Sequence, residues 1–192
     1  PTIEICEPDD FEYNFLPGLK NDYELLKDLN NDWKKITEDP KLEVFVEYLK
    51  NTLLSKKINP QSKLVVFSES KETTDYLFKE LTKQVNYRIL AVDSDSRKDK
   101  MPIIRQNFDA NLVKAEQKDD FDIVLSTEVL AEGINLHRSN VIVNYDTPWN
   151  STRLMQRIGR VNRIGSTADE VHVYNFYPTA KVNNDIELEK KA

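Results

Sequence analysis

The sequence predicts an α/β fold with a mainly parallel central sheet flanked by helices on both sides, and two observations predict it. After Asn59-Pro60, short apolar, β-branched runs alternate with stretches of helical periodicity, the rhythm of strands joined by crossover helices. Each run also ends on small polar residues, at the edge where such sheets gather loops and helix N-termini and bind their ligands.

The elements follow in chain order. Residues 1–40 carry acids, Asn and aromatics without a sustained period, punctuated by Pro8, Pro17, Gly18 and Pro40; they read as a linker with one helix near 21–36. From Asp39-Pro40, Leu42, Phe45, Val46, Leu49 and Leu53 form an apolar stripe at helical spacing, with Lys and Glu opposite, so a helix docks on the core there. The strand runs are Leu64–Phe67, Tyr87–Val92, Ile123–Leu125, Val141–Val143 and Val171–Tyr174, with helical patterns near 71–84, 97–109, 128–131 and 151–163 between them. The strand exits read Ser68-Glu69-Ser70, Asp93-Ser94-Asp95-Ser96, Ser126-Thr127 and Tyr145-Asp146-Thr147, four polar positions sharing one rim. The alternative for each exit is that its Ser, Asp or Thr caps the next helix.

Composition narrows the function classes. A chain of 192 residues holds one main domain, and no apolar run approaches the roughly 18 residues of a membrane span. Cys6 is alone, His137 and His172 lie far apart, and nothing at the N-terminus reads as a secretory signal; a cytoplasmic chain without disulfide or bound metal is expected, and no oligomer is implied. The net charge of −6 opposes phosphate attraction, so any nucleic-acid site must be local. With no initiator Met and a charged helical pattern at 187–192, the chain is expected to be part of something longer, 181–192 being the start of a further helical segment.

The local positive charge is in residues 151–165, which carry Arg153, Arg157, Arg160 and Arg163 and no acid. On a helix, Leu154, Ile158 and Val161 share one face, while Gln156, Arg160 and Arg163 fall within about 60° of each other on the opposite one. Guanidinium groups stay charged and match phosphate oxygens in a bidentate fork, which suits them to charge on a transferred phosphoryl group. A solvated basic face or a nucleic-acid backbone contact would use the same residues. Gly159, costly inside a helix, points to a close backbone approach.

The run Gln156-Arg157-Ile158-Gly159-Arg160-Val161-Asn162-Arg163-Ile164-Gly165 resembles motif VI of superfamily 2 helicases, in the bacterial Snf2-like branch. Ser126 through Leu136 resembles motif V, Val65 through Lys71 resembles motif IV, and Tyr145-Asp146 with Pro148-Trp149-Asn150 is similar to the stretch joining motifs V and VI. The resemblance covers about 41–180 and implies a three-layer RecA-like (P-loop NTPase-like) domain there, the second motor domain of an ATP-dependent helicase or translocase. It implies that Arg160 and Arg163, with Gln156 beside them, reach the phosphates of ATP, that Gly133, Asn135 and Glu132 lie near the nucleotide, and that Ser68, Ser94 and Thr127 touch the nucleic-acid backbone. For Ser68 and Thr127 capping remains the alternative, and Trp149 is read as a packing residue.

No G-x-x-x-x-G-K-[ST] loop can be formed from glycines 18, 133, 159 and 165, and no Asp-Glu box follows a strand. The phosphate cradle and Mg²⁺ are therefore expected from an N-terminal RecA-like domain of the same polypeptide, without which this chain would be inactive. DNA is the expected track, in the bacterial cytoplasm at the nucleoid. An RNA helicase, or a non-catalytic RecA-like domain binding protein or RNA, are the alternatives.

Overall fold

A computed structural model describes residues 10–166 and 168–177, so the segment expected at 181–192 lies outside the described residues. The chain divides into two compact units, Pro1–Lys41 and Leu42–Ala192. In the first, α1 spans Phe15–Trp33 and buries none of its residues. It begins ahead of the expected 21–36 because Pro17 occupies its first turn, where the missing N–H has no intrahelical acceptor to lose.

The second unit takes up α2 (Pro40–Tyr48) from Leu42 onward; the helix runs into a π-helical turn, Leu49–Leu53, and buries the predicted stripe of Leu42, Phe45, Val46, Leu49 and Leu53. The remaining elements are β1 (Leu64–Phe67), α3 (Lys71–Gln84), β2 (Ile89–Val92), α4 (Arg97–Phe108), β3 (Ile123–Ser126), β4 (Val141–Asn144), α5 (Ser151–Val161) and β5 (His172–Asn175). The pattern at 128–131 forms only a 3₁₀ turn, Glu128–Leu130.

The five strands make one sheet in the order β2-β3-β1-β4-β5, with every neighbouring pair parallel. Period-2 alternation sorts the strand residues between two cores. Leu64, Val66, Leu125 and Val143 pack with residues of α2 and α3, whereas Val65, Phe67, Val124 and Ile142 pack with Ile104 and Phe108 of α4 and Val161 of α5. Three layers result, because strands buried on both faces need helices over each. No helix among the described residues is long and apolar enough to cross a membrane.

Candidate functional site

α5 assigns its arginines to two different tasks. Asn150 opens the helix by accepting a hydrogen bond from the Thr152 amide at 2.8 Å, and Leu154, Arg157 and Val161 are its buried residues. Arg157, spaced three residues from Leu154 and four from Val161, therefore sits on the apolar face with its whole side chain buried. Its Nη1 donates to Asn144 Oδ1 at 2.8 Å and to the Asp146 carbonyl at 3.1 Å. Its Nη2 donates to Glu69 Oε1 at 2.6 Å, and Nε donates to Glu128 Oε1 at 2.7 Å, with Nη2 on the same oxygen.

The guanidinium also lies 5.1 Å from the centroid of the Phe67 ring, a cation–π contact. One side chain thus ties together the exits of β1, β3 and β4. Lys71 joins the exits of β1 and β2 in the same manner, its Nζ reaching Asp93 at 2.9 Å and Asp95 at 2.6 Å. The Ser96 hydroxyl, then Lys71, then the Ser96 amide hold the Asp93 carboxyl well below the usual carboxylate range.

Arg160 and Arg163 face a separate open cleft of about 440 Å³, which they line with Gly133, Asn135, Arg105 and Asp109. The helix ends at Val161, so Arg163 lies beyond it rather than on the face expected for a helix over 151–163. Its Nε donates to the Gly159 carbonyl at 3.1 Å and its Nη1 to Asn135 Oδ1. Among the described residues Arg160 donates through Nε alone, to the Gln156 carbonyl at 3.3 Å, and Gln156 itself is exposed. Among the described residues neither arginine makes an ion pair. Burial, and then the neighbouring Arg163 charge, lower the Arg160 pKa, with Glu132 acting in the opposite direction.

The loop after β3 supplies the opposite wall. Gly133 has φ +73°, and a Cβ on it would stand 3.3 Å from Arg97 Nη2, which donates to the Glu132 carbonyl at 3.1 Å. Asn135 Nδ2 donates to Asp109 Oδ2 at 3.3 Å, so Asn135 holds Arg163 with one end of its amide and Asp109 with the other. Arg105 and Asp109 bring the C-terminal end of α4 to this cleft, and Arg160 and Arg163 bring that of α5. The close approach expected at Gly159 is absent, since a Cβ there would meet nothing within 4 Å.

At the rim the three hydroxyls differ. Ser68 is buried and bonded to Thr74 Oγ1 at 2.7 Å and the Ser70 carbonyl at 3.1 Å, so its hydroxyl braces the turn while Ser70 caps α3. The Thr127 side chain makes no capping bond to the turn it precedes. Ser94 is exposed, and the turn before α4 is closed by Asp93 and Ser96 instead. Trp149 is 54% exposed. No group of three His, Cys, Asp or Glu side chains among the described residues could hold a metal.

The helicase conserved C-terminal domain family matches residues 41–165. The chain is similar to the uncharacterized ATP-dependent helicase YqhH of Bacillus subtilis, 52% identical over 54 residues, 28% of this chain and 10% of that protein. It is also similar to the ATP-dependent RNA helicase FAL1 of Candida glabrata, 27% identical over 126 residues, 66% of this chain and 29% of that one. It thus spans from a tenth to under a third of the length of these relatives. Among solved structures, the C-terminal part of the Fun30 ATPase domain superposes with a TM-score of 0.60 at 21% identity, covering 86% of this chain and 53% of that one. S. cerevisiae Dbp5 bound to RNA and ADP BeF3 superposes with a TM-score of 0.56 at 20% identity, covering 79% and 36%. Both share the three-layer RecA-like fold.

Proposed function

Because the chain belongs to the helicase conserved C-terminal domain family, we propose that it is the second motor domain of an ATP-dependent nucleic-acid translocase, in which Arg160 and Arg163 act as arginine fingers. The observation that carries this reading is a cleft with two guanidinium groups free of carboxylate partners among the described residues. A phosphate chain fits that donor set: forked N–H donors line the opening, and Asp109 is committed to Asn135.

In this reading ATP is the substrate, bound between this domain and an N-terminal RecA-like domain that brings the phosphate loop and holds Mg²⁺. Closure of the two domains presents Arg160 and Arg163 to charge developing on the transferred phosphoryl group, where fixed cations stabilise the transition state more than the ground state. Gln156, Glu132, Gly133 and Asn135 flank the nucleotide. Thr127 and Ser94, neither of them engaged in capping, contact the strand backbone, and Ser68 shapes the turn beside them. The isolated chain, lacking the phosphate loop, hydrolyses nothing.

The track proposed is DNA, on the Snf2-like character of residues 145–165, and the location proposed with it is the bacterial nucleoid. An RNA track is the second reading, favoured by the RNA helicase FAL1 as a relative over 66% of the chain. The experiment is ATPase turnover of the full-length protein with Arg160→Ala and with Arg163→Ala, stimulated in turn by duplex DNA and by RNA. Each change should lower turnover by roughly 10³-fold or more while strand binding stays near wild type. Undiminished turnover in both variants removes the finger assignment and favours a non-catalytic binding domain; stimulation by RNA alone moves the track.

A further inference from the structure

The cleft holds a third guanidinium that no motif points to. Arg105 leaves the last turn of α4, is exposed, and lines the cleft together with Arg160 and Arg163. Its natural partner would be Asp109, four residues on, the spacing at which an acid and a base meet along a helix.

That pairing is not made. α4 ends at Phe108 and Asp109 is extended, with φ −92° and ψ 116°. Its Oδ1 accepts from the Asn111 amide at 3.0 Å and its Oδ2 from Asn135 at 3.3 Å. The buried ring of His137 stands behind it, with Nδ1 at 3.7 Å from Oδ1. The one carboxylate lining the cleft near Arg105 is thereby turned to the loop that grips Arg163, and Arg105 is left without an ion pair among the described residues.

Three like charges around one opening repel each other and gain from a ligand that carries several negative charges close together. We propose that Arg105 is a third phosphate-binding arginine of this cleft, holding the phosphate chain of ATP from the α4 wall; the inference rests on the function proposed above. Its position on a different element from the fingers gives it a different task. Arg105 grips the nucleotide in the ground state, so its loss acts on affinity, whereas loss of Arg160 or Arg163 acts on turnover. Arg105 also borders a groove of about 700 Å³ that contains Ser94, Arg97 and Lys98, and a strand lying there is the competing occupant.

The test uses the full-length protein with Arg105→Ala, Arg105→Lys and, as control, Arg163→Ala. Calorimetric titration with a non-hydrolysable ATP analogue gives Kd, and steady-state ATPase at saturating nucleic acid gives KM and kcat. Arg105→Ala should weaken Kd and raise KM about tenfold, the scale of one charge-assisted contact, with kcat within about threefold of wild type and part of the affinity restored by Arg105→Lys. Unchanged Kd and KM beside a turnover-dead Arg163→Ala overturn the role of Arg105 alone. Weakened strand binding with an untouched analogue Kd overturns it in favour of the strand. Full turnover in Arg163→Ala removes the parent reading and this inference with it.

Discussion

Replacing Arg157 by Met in the 192-residue chain would remove the single side chain that joins three strand exits, at nearly constant volume. The change deletes five hydrogen bonds, to Glu128 (two), Glu69, Asn144 and the Asp146 carbonyl, and leaves two carboxylates facing each other. Removing one partner of a fully buried ion pair costs about 3–5 kcal/mol. Glu69 and Glu128 keep 35% and 30% of their side-chain surface in water, so they recover part of their hydration, and about 2–3 kcal/mol is expected. That loss lowers Tm by roughly 5–10 °C for a chain of this size and shifts the urea midpoint at constant m. Adding Glu69→Gln and Glu128→Gln should restore part of it, since Glu128 is left without an ion pair among the described residues, whereas Glu69 keeps Arg153 at 3.4 Å. A loss below about 1 kcal/mol, or a triple variant no more stable than the single one, would refute the clamp.

Gly159→Ala should stabilise the isolated chain by about 1 kcal/mol, because the position is helical and a methyl group meets open space. The same change should slow ATPase in the full-length protein if a closing domain or the nucleotide uses that space, and unchanged turnover would show that it does not. His137 is buried, neither ring nitrogen has a hydrogen-bond partner among the described residues, and burial, opposed by Asp109 and reinforced by Arg163, lowers its pKa below the usual 6.5. Between that lowered value and 6.5 the unfolded chain binds the extra proton, so stability is full above 6.5 and falls as the pH drops through this window. His137→Leu should flatten urea midpoints measured from pH 7 to pH 5, and an unaltered slope would remove the assignment.

The strands were legible because runs such as Leu64–Phe67 and Val141–Asn144 are buried on both faces and therefore continuously apolar. The α2 stripe was equally readable from its spacing. Arg157 was not, since hydropathy assigns a guanidinium to solvent and its partners Glu69, Glu128 and Asn144 come from three separate loops and strands. Only its position between Leu154 and Val161 hinted at burial. Arg105 and Asp109 joined the cleft for a similar reason: the juxtaposition is made by the loop after β3 meeting the end of α4, a contact no local pattern encodes. The resemblance makes Ser68 a nucleic-acid contact, but a motif says nothing about which way the hydroxyl turns, and here it is bonded to Thr74.

Anchoring Arg157 fixes the helix that carries Arg160, and the Asn135 amide fixes Arg163 from the other side. A flexible arginine gives up rotational freedom when it meets an anion, and that loss opposes binding at the moment of contact. Here much of the ordering belongs to folding itself, so the phosphate chain proposed for this cleft would meet donors already aimed, with less reorganisation left for the proposed phosphoryl transfer. If Arg160 and Arg163 are the fingers proposed above, a loosened α5 would keep every one of its arginines and still slow the reaction.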